Sequence, residues 1–543
     1  MNRITKILNF AEVKISTVLV LIFLAIISSF FTVIPTNILG ELSKNVAILL
    51  TGKEQGSLIV RLFIAYTSVL ILGTVIRNVF CYQTSKLSNK IVYNIKNACF
   101  SKFLKIDSKE VTQLDFGSVT NVVLRNADRL ELVFSTSLFT LMSDIFDLVI
   151  MSIFLLRISP LVLLIFLLVL PITYTLARKS GFRQRELAQA RIEIEKETIN
   201  KLNESYNNYD VIRIFGGQVK EISQFRSYTQ RDKDIANQSD KRLSQFFVSE
   251  KTIRILGTVI ALSYITTQIL QGKVDVANFV IVAIYSEKFF APVTNMIRYL
   301  QYIQKGLASI DNILEFLSKP DNDPQRNLVV QELHPILIQG KHVKLKINDT
   351  FVGHTDKVKI LDKTINLIIG DNGTGKSSLI RMLMGLIDHN NYLAIDQQLS
   401  EEQQIFSYVP EKAKLFNTTV LENCFYPRPL KEIDQTSCDN AERMLISLNF
   451  PKDQINKLVE ENGANLSDGE RKKVNFVRAL LSRAKILVFD EVTANVDKSS
   501  TEVMEQYLIK EKNNRAVIII SHQVGHEIFA NSQNVIRLKR ERT

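Results

Sequence analysis

At 543 residues, with 46% apolar residues and only 11 prolines, the chain is long enough for two or more domains and too apolar to be disordered. Its four cysteines, Cys81, Cys99, Cys424 and Cys438, show neither C-x-x-C nor zinc spacing, so no disulfide framework or metal site is indicated. The net charge of +12 would suit nucleic acid, but the basic residues cluster between apolar stretches, which points to the cytoplasmic side of a membrane and to no nucleic-acid partner.

Six apolar segments come first, near residues 16–38, 57–81, 134–158, 160–177, 252–270 and 275–302. Crossing a bilayer takes about 20 residues, and most of the six are long enough. The second, fifth and sixth carry charges. The first is too long for a signal peptide and lacks a small-residue cleavage site. Lysine and arginine set the orientation. Arg3, Lys6 and Lys14 precede the first span, and Lys86, Lys90, Lys96, Lys102, Lys105, Lys109, Arg125 and Arg129 lie between the second and third. The stretch from Arg178 to Arg242 is richer still, whereas the opposite loops offer only Lys44, Lys53, Arg157 and Lys273. Both termini are therefore expected in the cytoplasm.

Residues 83–133 and 178–250 are rich in helix formers, with apolar residues such as Ile192, Ile194, Ile199 and Leu202 at helical spacing. They read as extensions of the membrane helices, joined by turns near 108–117 and 204–215. Ionisable groups stand at membrane depth: Asp144 and Asp147 in the third span, Glu287 and Lys288 in the sixth. Such groups face an interior or a wet cavity. Two readings stay open: a structural ion pair of Lys288 or Arg61 with an aspartate, or a carboxylate-lined cavity suited to a cationic or polar peptide. A polar linker marked by Pro320 and Pro324 follows, and strands then alternate with helices. The expected layout is a six-helix membrane domain over 1–318, a linker over 319–335 and an α/β domain over 336–543.

The α/β domain contains Gly370-Asp371-Asn372-Gly373-Thr374-Gly375-Lys376-Ser377, the pattern G-x-x-x-x-G-K-[ST], after the apolar run Leu367–Ile369 and before a helical stretch beginning at Ser378. Glycines let backbone N–H groups curl around phosphates, and a helix N-terminus adds partial positive charge. Lys376 can reach the β- and γ-phosphates, and the Ser377 hydroxyl can ligate Mg²⁺. Further on, Asp490 ends an apolar strand where a carboxylate can hold Mg²⁺, and Glu491 beside it is placed to polarise an attacking water. The expected cofactors are ATP and Mg²⁺.

These features in this order resemble a half-size ATP-binding cassette exporter, over essentially the whole chain. Leu466-Ser467-Asp468-Gly469-Glu470 resembles the family signature LSGGQ, Ile486 to Glu491 the Walker B strand with its glutamate, Thr493 to Asp497 the D-loop, and Glu461-Asn462-Gly463 the stretch that touches coupling helices. His522, after a strand at 516–520, fits the switch histidine that contacts the γ-phosphate. The resemblance implies that Ser467 and Gly469 serve the ATP of a second half-transporter, so the working unit is a dimer, a homodimer in preference to a heterodimer, in a bacterial inner membrane. It also implies export of a peptide, lipid or drug, with a peptide preferred. No peptidase-like domain precedes the first span, so leader cleavage by this chain is not expected. Inward transport and a regulatory subunit with little turnover are the other function classes.

Three departures from the family pattern stand out. Glu411 occupies the Q-loop glutamine's place, where it can still approach Mg²⁺. Asp468 and Glu470 replace a glycine and a glutamine, and a carboxylate there repels a γ-phosphate unless it is screened or turned away. The aromatic that stacks on adenine is replaced by Ile347, with Phe351 as a substitute.

Overall fold

A computed structural model describes residues 2–49, 56–111, 114, 116–321, 329–347, 350–387, 393–402, 404–461, 463–521 and 526–540. The chain divides into two compact units, one of residues 1–105 with 114–319, the other of residues 106–113 with 320–543.

The first unit is built of long helices: α1 (Ile15–Leu49), α2 (Gly56–Phe103), α3 (Phe139–Ile158), α4 (Pro160–Asn207), α5 (Gln218–Leu270) and α6 (Val276–Ser318). Among the described residues, five helical stretches are long and apolar enough to cross a membrane: α1, α2, residues 117–158 ending in α3, α4 and α5. The predicted sixth span lies in α6. A helix of 48 residues, as in α2 and α4, runs about 72 Å. The hydrocarbon layer is only about 30 Å thick, so the excess projects into water.

The two environments are visible in the packing. At membrane depth Val33, Met151, Leu155, Val162, Phe166, Ala261, Ile265, Val282, Tyr285 and Phe290 form one buried core. Phe166 meets Phe289 and Phe290 with ring centroids 5.4 and 5.2 Å apart. Outward-facing Phe23, Ile71 and Leu168 are exposed, as suits contact with lipid. Toward its C-terminal end α4 pairs with α5 through charges instead: Arg191 with Asp232 (2.8 Å), Arg231 with Glu197 (2.9 Å) and Lys201 with Glu221 (2.5 Å). Between them the turn expected near 204–215 contains a short helix, Tyr209–Ile214, flanked by exposed Tyr206 and Phe215. In the turn expected near 108–117, Ser108–Val111 is helical, and residues 112, 113 and 115 lie outside the described residues.

The second unit holds two five-stranded sheets. β1 (Val329–Gln331), β2 (Ile336–Ile347), β3 (Thr350–Leu361), β5 (Leu393–Asp396) and β10 (Lys539–Arg540) make a mixed sheet in the order β1-β5-β2-β3-β10. β4 (Ile365–Ile369), β6 (Phe406–Val409), β7 (Ile486–Asp490), β8 (Ala516–Ile520) and β9 (Ser532–Arg537) make a wholly parallel sheet in the order β6-β7-β8-β4-β9. β7 and β8 are buried at every position, which explains why they are apolar throughout except for Asp490 at the end of β7. In a parallel sheet, ligands bind beyond the C-terminal strand ends. Ile520 of β8 stands in register with Ile368 of β4 on one side and Asp490 of β7 on the other. The Gly-rich loop and the acidic pair thus leave the sheet at the same edge.

Candidate nucleotide site

β4 runs into the Gly370–Gly375 turn, and α7 (Lys376–Leu383) follows it. Gly373 and Gly375 have φ of +80° and +88°, a region costly for residues with a Cβ. Gly370 is needed for space: a Cβ there would lie 2.8 Å from Thr374 Oγ1 and 3.0 Å from the Leu538 carbonyl. The Thr374 hydroxyl closes the turn by donating to the Asp371 carbonyl at 2.8 Å. Lys376 folds back over the turn, its Nζ donating to the Gly370 and Asp371 carbonyls at 2.8 and 3.3 Å. Burial pulls its ammonium below the usual lysine range, against the attraction of Glu491, Asp490 and Asp371. Asp371, Asn372 and Gly373 are exposed at the turn, while Ser377 and Ser378 open α7.

Ser377 donates its hydroxyl proton to Asp490 Oδ2 at 3.0 Å, and the Tyr408 hydroxyl donates to the same oxygen at 3.3 Å. Asp490 is 3% exposed. Burial, together with repulsion from Glu411 and Glu491, holds its carboxyl above the ordinary range, with the two hydroxyl donors pulling the other way. Glu491 follows in the left-handed region at φ +49°, its N–H donating to the Ile520 carbonyl at 3.0 Å. A non-glycine residue there is strained, and the surroundings must hold it. Lys472 does part of that. It is 2% exposed, and its Nζ donates to the carbonyls of Glu491 (3.1 Å) and Ala494 (2.6 Å).

Lys472 belongs to α8 (Asp468–Leu481), the helix headed by the signature-like residues. Ser467 is its N-cap: Ser467 Oγ accepts from the Glu470 N–H at 3.2 Å, and Glu470 Oε2 accepts from the Ser467 N–H at 2.8 Å. Asp468 turns to Arg471 at 3.2 Å. The two carboxylates expected to repel a phosphate are therefore engaged within their own helix. Gly469 packs so closely on the D-loop-like segment that a Cβ would stand 3.2 Å from the Asn495 carbonyl. Lys473 reaches Asp497 at 2.7 Å, holding that carboxyl, with help from Ser500, well below the usual range.

The structure thus brings Lys376, Ser377, Asp490 and Glu491 to one sheet edge, with Glu411 exposed nearby and Ser467 and Gly469 at the separate α8 start. His522 lies outside the described residues, as do the side chains of Ile347 and Phe351. Sequence reasoning missed Tyr408 and Lys472. A lysine on the buried stripe of α8, beside Phe476, was the available signal for the second.

A parallel-sheet ATP-binding unit fused to a bundle of membrane-length helices defines a multi-pass membrane ATPase. The ABC transporter transmembrane region family matches residues 18–293, and the ABC transporter family matches residues 354–494. The chain belongs to the ABC transporters, with one transmembrane region and one ATP-binding domain on the same chain and an ATPase coupled to transport. It is 22% identical over 489 residues to "Uncharacterized ABC transporter ATP-binding protein YknV" of Bacillus subtilis, covering 88% of this chain and 80% of that one. It is 25% identical over 461 residues to an "ATP-dependent lipid A-core flippase" of Psychrobacter cryohalolentis, covering 82% and 75%. A bacterial Atm1-family ABC exporter with ATP bound superposes at a TM-score of 0.78 with 18% identity, covering 98% of this chain and 94% of the other.

Proposed function

We propose that two copies of the chain clamp two ATP molecules between them and move an amphiphile outward across the bacterial inner membrane, with both termini in the cytoplasm. The observation that carries this is the convergence of Lys376, Ser377, Asp490 and Glu491 at one sheet edge in a chain with membrane-length helices. In this reading Gly370 to Ser378 cradle the triphosphate, and Lys376 leaves its carbonyl partners for the β- and γ-phosphates. The Ser377 hydroxyl and Asp490 carboxylate, hard oxygen donors 3.0 Å apart, fit a magnesium site, with exposed Glu411 able to join. Bound there, Mg²⁺ supplies neutralisation of phosphate charge. Glu491 takes a proton from water as the water oxygen bonds to the γ-phosphorus and the bond to the bridging oxygen breaks, releasing ADP. His522 would contact the γ-phosphate, and Ser467 and Gly469 would meet it from the second copy.

The flippase names among the relatives favour a lipid-like cargo over the peptide expected from sequence. The test is ATPase activity of the purified protein in liposomes. Glu491→Gln should lower turnover about 100-fold or more, and equal rates would overturn the assignment. A heterodimer is the second reading, because Glu470 already engages the Ser467 N–H at the head of α8. Isolation of the chain only as a monomer without turnover would favour it.

A further inference from the structure

We propose that the helical bundle contains a site for one organic cation, an ammonium or guanidinium group of the cargo, with Asp147 as its counter-ion and Asp144 alongside. The inference rests on the export reading and narrows its cargo. Asp144 and Asp147 stand three residues apart on α3, so they share a face, and each is 7% exposed. At this depth lipid offers no hydrogen bonds, and a buried carboxylate is expensive unless something pairs with it. Asp144 has a partner: the Tyr299 hydroxyl of α6 donates to Oδ2 at 3.0 Å. The Asp147 carboxylate accepts a hydrogen bond from Ser29, but its Oδ1 is buried with no partner, and so is the Ser28 hydroxyl oxygen on neighbouring α1.

The lysine at this depth is engaged elsewhere. Lys288 donates to the Thr32 carbonyl at 3.0 Å and to Thr36 Oγ1 at 3.4 Å, both on α1. Arg77 of α2 is exposed. Among the described residues, Asp147 therefore makes no ion-pair contact. Lys288 and Arg77 act on Asp147 through space, but neither donates to Asp147 Oδ1, so what this atom lacks is an N–H donor in contact with it. A metal ion is a poor candidate, since Asp144 and Asp147 bring only two carboxylates together, and hard cations take six or more oxygens. A phosphate-bearing headgroup would meet two carboxylates of its own sign, which separates the cargo of this chain from an anionic lipid.

The test uses the full-length protein in phosphatidylcholine nanodiscs. Binding of ethidium is followed by fluorescence, and dodecylamine or dodecanol, of equal chain length, competes with it. The amine should displace ethidium at concentrations at least about tenfold lower than the alcohol. Equal potency in the wild-type protein would overturn the site without recourse to any variant. Asp147→Asn should weaken ethidium binding about tenfold while Asp147→Glu retains most of it. An unchanged affinity in Asp147→Asn also overturns the proposal. Basal ATPase activity of the same wild-type preparation tests the export reading separately, because loss of cation selectivity with turnover intact sinks only the cargo assignment.

Discussion

At the sheet edge the charged and polar groups have partners within the chain: Ser377 and Tyr408 on Asp490, Lys376 on two carbonyls. In the membrane bundle, Asp147 leaves one oxygen with nothing. The groups of the nucleotide site satisfy one another within the chain, and Lys376 and Ser377 exchange these partners for phosphate and magnesium when nucleotide binds. The bundle site instead leaves a need that only a bound group meets. A site conserving one reaction and a site selecting a cargo are built by opposite uses of the same cost, that of burying a polar atom.

The strongest way to break this contrast is Asp490→Asn. ATPase activity should fall about 100-fold or more, because the carboxylate that faces Ser377 is lost. Stability should move the other way. The folded chain holds the Asp490 proton more tightly than the unfolded chain does, so it binds more protons between the ordinary carboxylate range and the raised value. Stability therefore falls as pH rises through that window, and the variant should lose this component. Thermal unfolding across that acid range checks the sign. A variant both inactive and unstable would mean that the site is held together by the carboxylate, not strained by it.

Next in size is Lys472→Met. Its ammonium holds the carbonyls of Glu491 and Ala494, so its removal frees a left-handed residue to relax. The expected loss is about 10- to 100-fold in kcat, from roughly 1.5–3 kcal/mol of charged hydrogen bonding, with KM for ATP little changed. Lys472→Arg should restore part of it. An equal rise in KM would point to a general disturbance of the nucleotide site and not to placement of Glu491.

How much of this was legible beforehand follows from the range of the interactions. The Gly370–Ser377 turn, β7 with its terminal Asp490, β8 and the membrane helices rest on local glycine conformations and unbroken apolar runs, so their sequences announce them. The Tyr408–Asp490 and Lys472–Glu491 contacts depend on sheet register and helix docking between residues 82 and 19 positions apart, which no short motif encodes. Glu470 is the instructive case. Read as a departure from LSGGQ, it looked repulsive; read as the fourth residue of S-x-x-E, it is half of a capping box. Asp144 and Asp147 were visible as costly residues, but only packing shows that Tyr299 caps Asp144 while one oxygen of Asp147 is left without a hydrogen-bond partner.

The smallest effect tests the D-loop-like segment. Lys473, Ser500 and Ser499 hold the Asp497 carboxyl well below its ordinary range. A lowered value means that the unfolded chain binds the proton more readily, so the contribution is complete above the ordinary carboxylate pKa and is lost as pH falls below it. Asp497 is 47% exposed on its side chain, so solvent screening limits the contribution to about 1 kcal/mol or less. Asp497→Asn should then cost little near neutral pH and flatten the decline in stability below about pH 4. Asparagine can still cap the Lys498–Glu511 helix, which isolates the Lys473 ion pair from the cap. A loss of several kcal/mol at neutral pH would show that the pair is shielded from water, and that the α8 to D-loop contact is as closed as the Asp490 pocket.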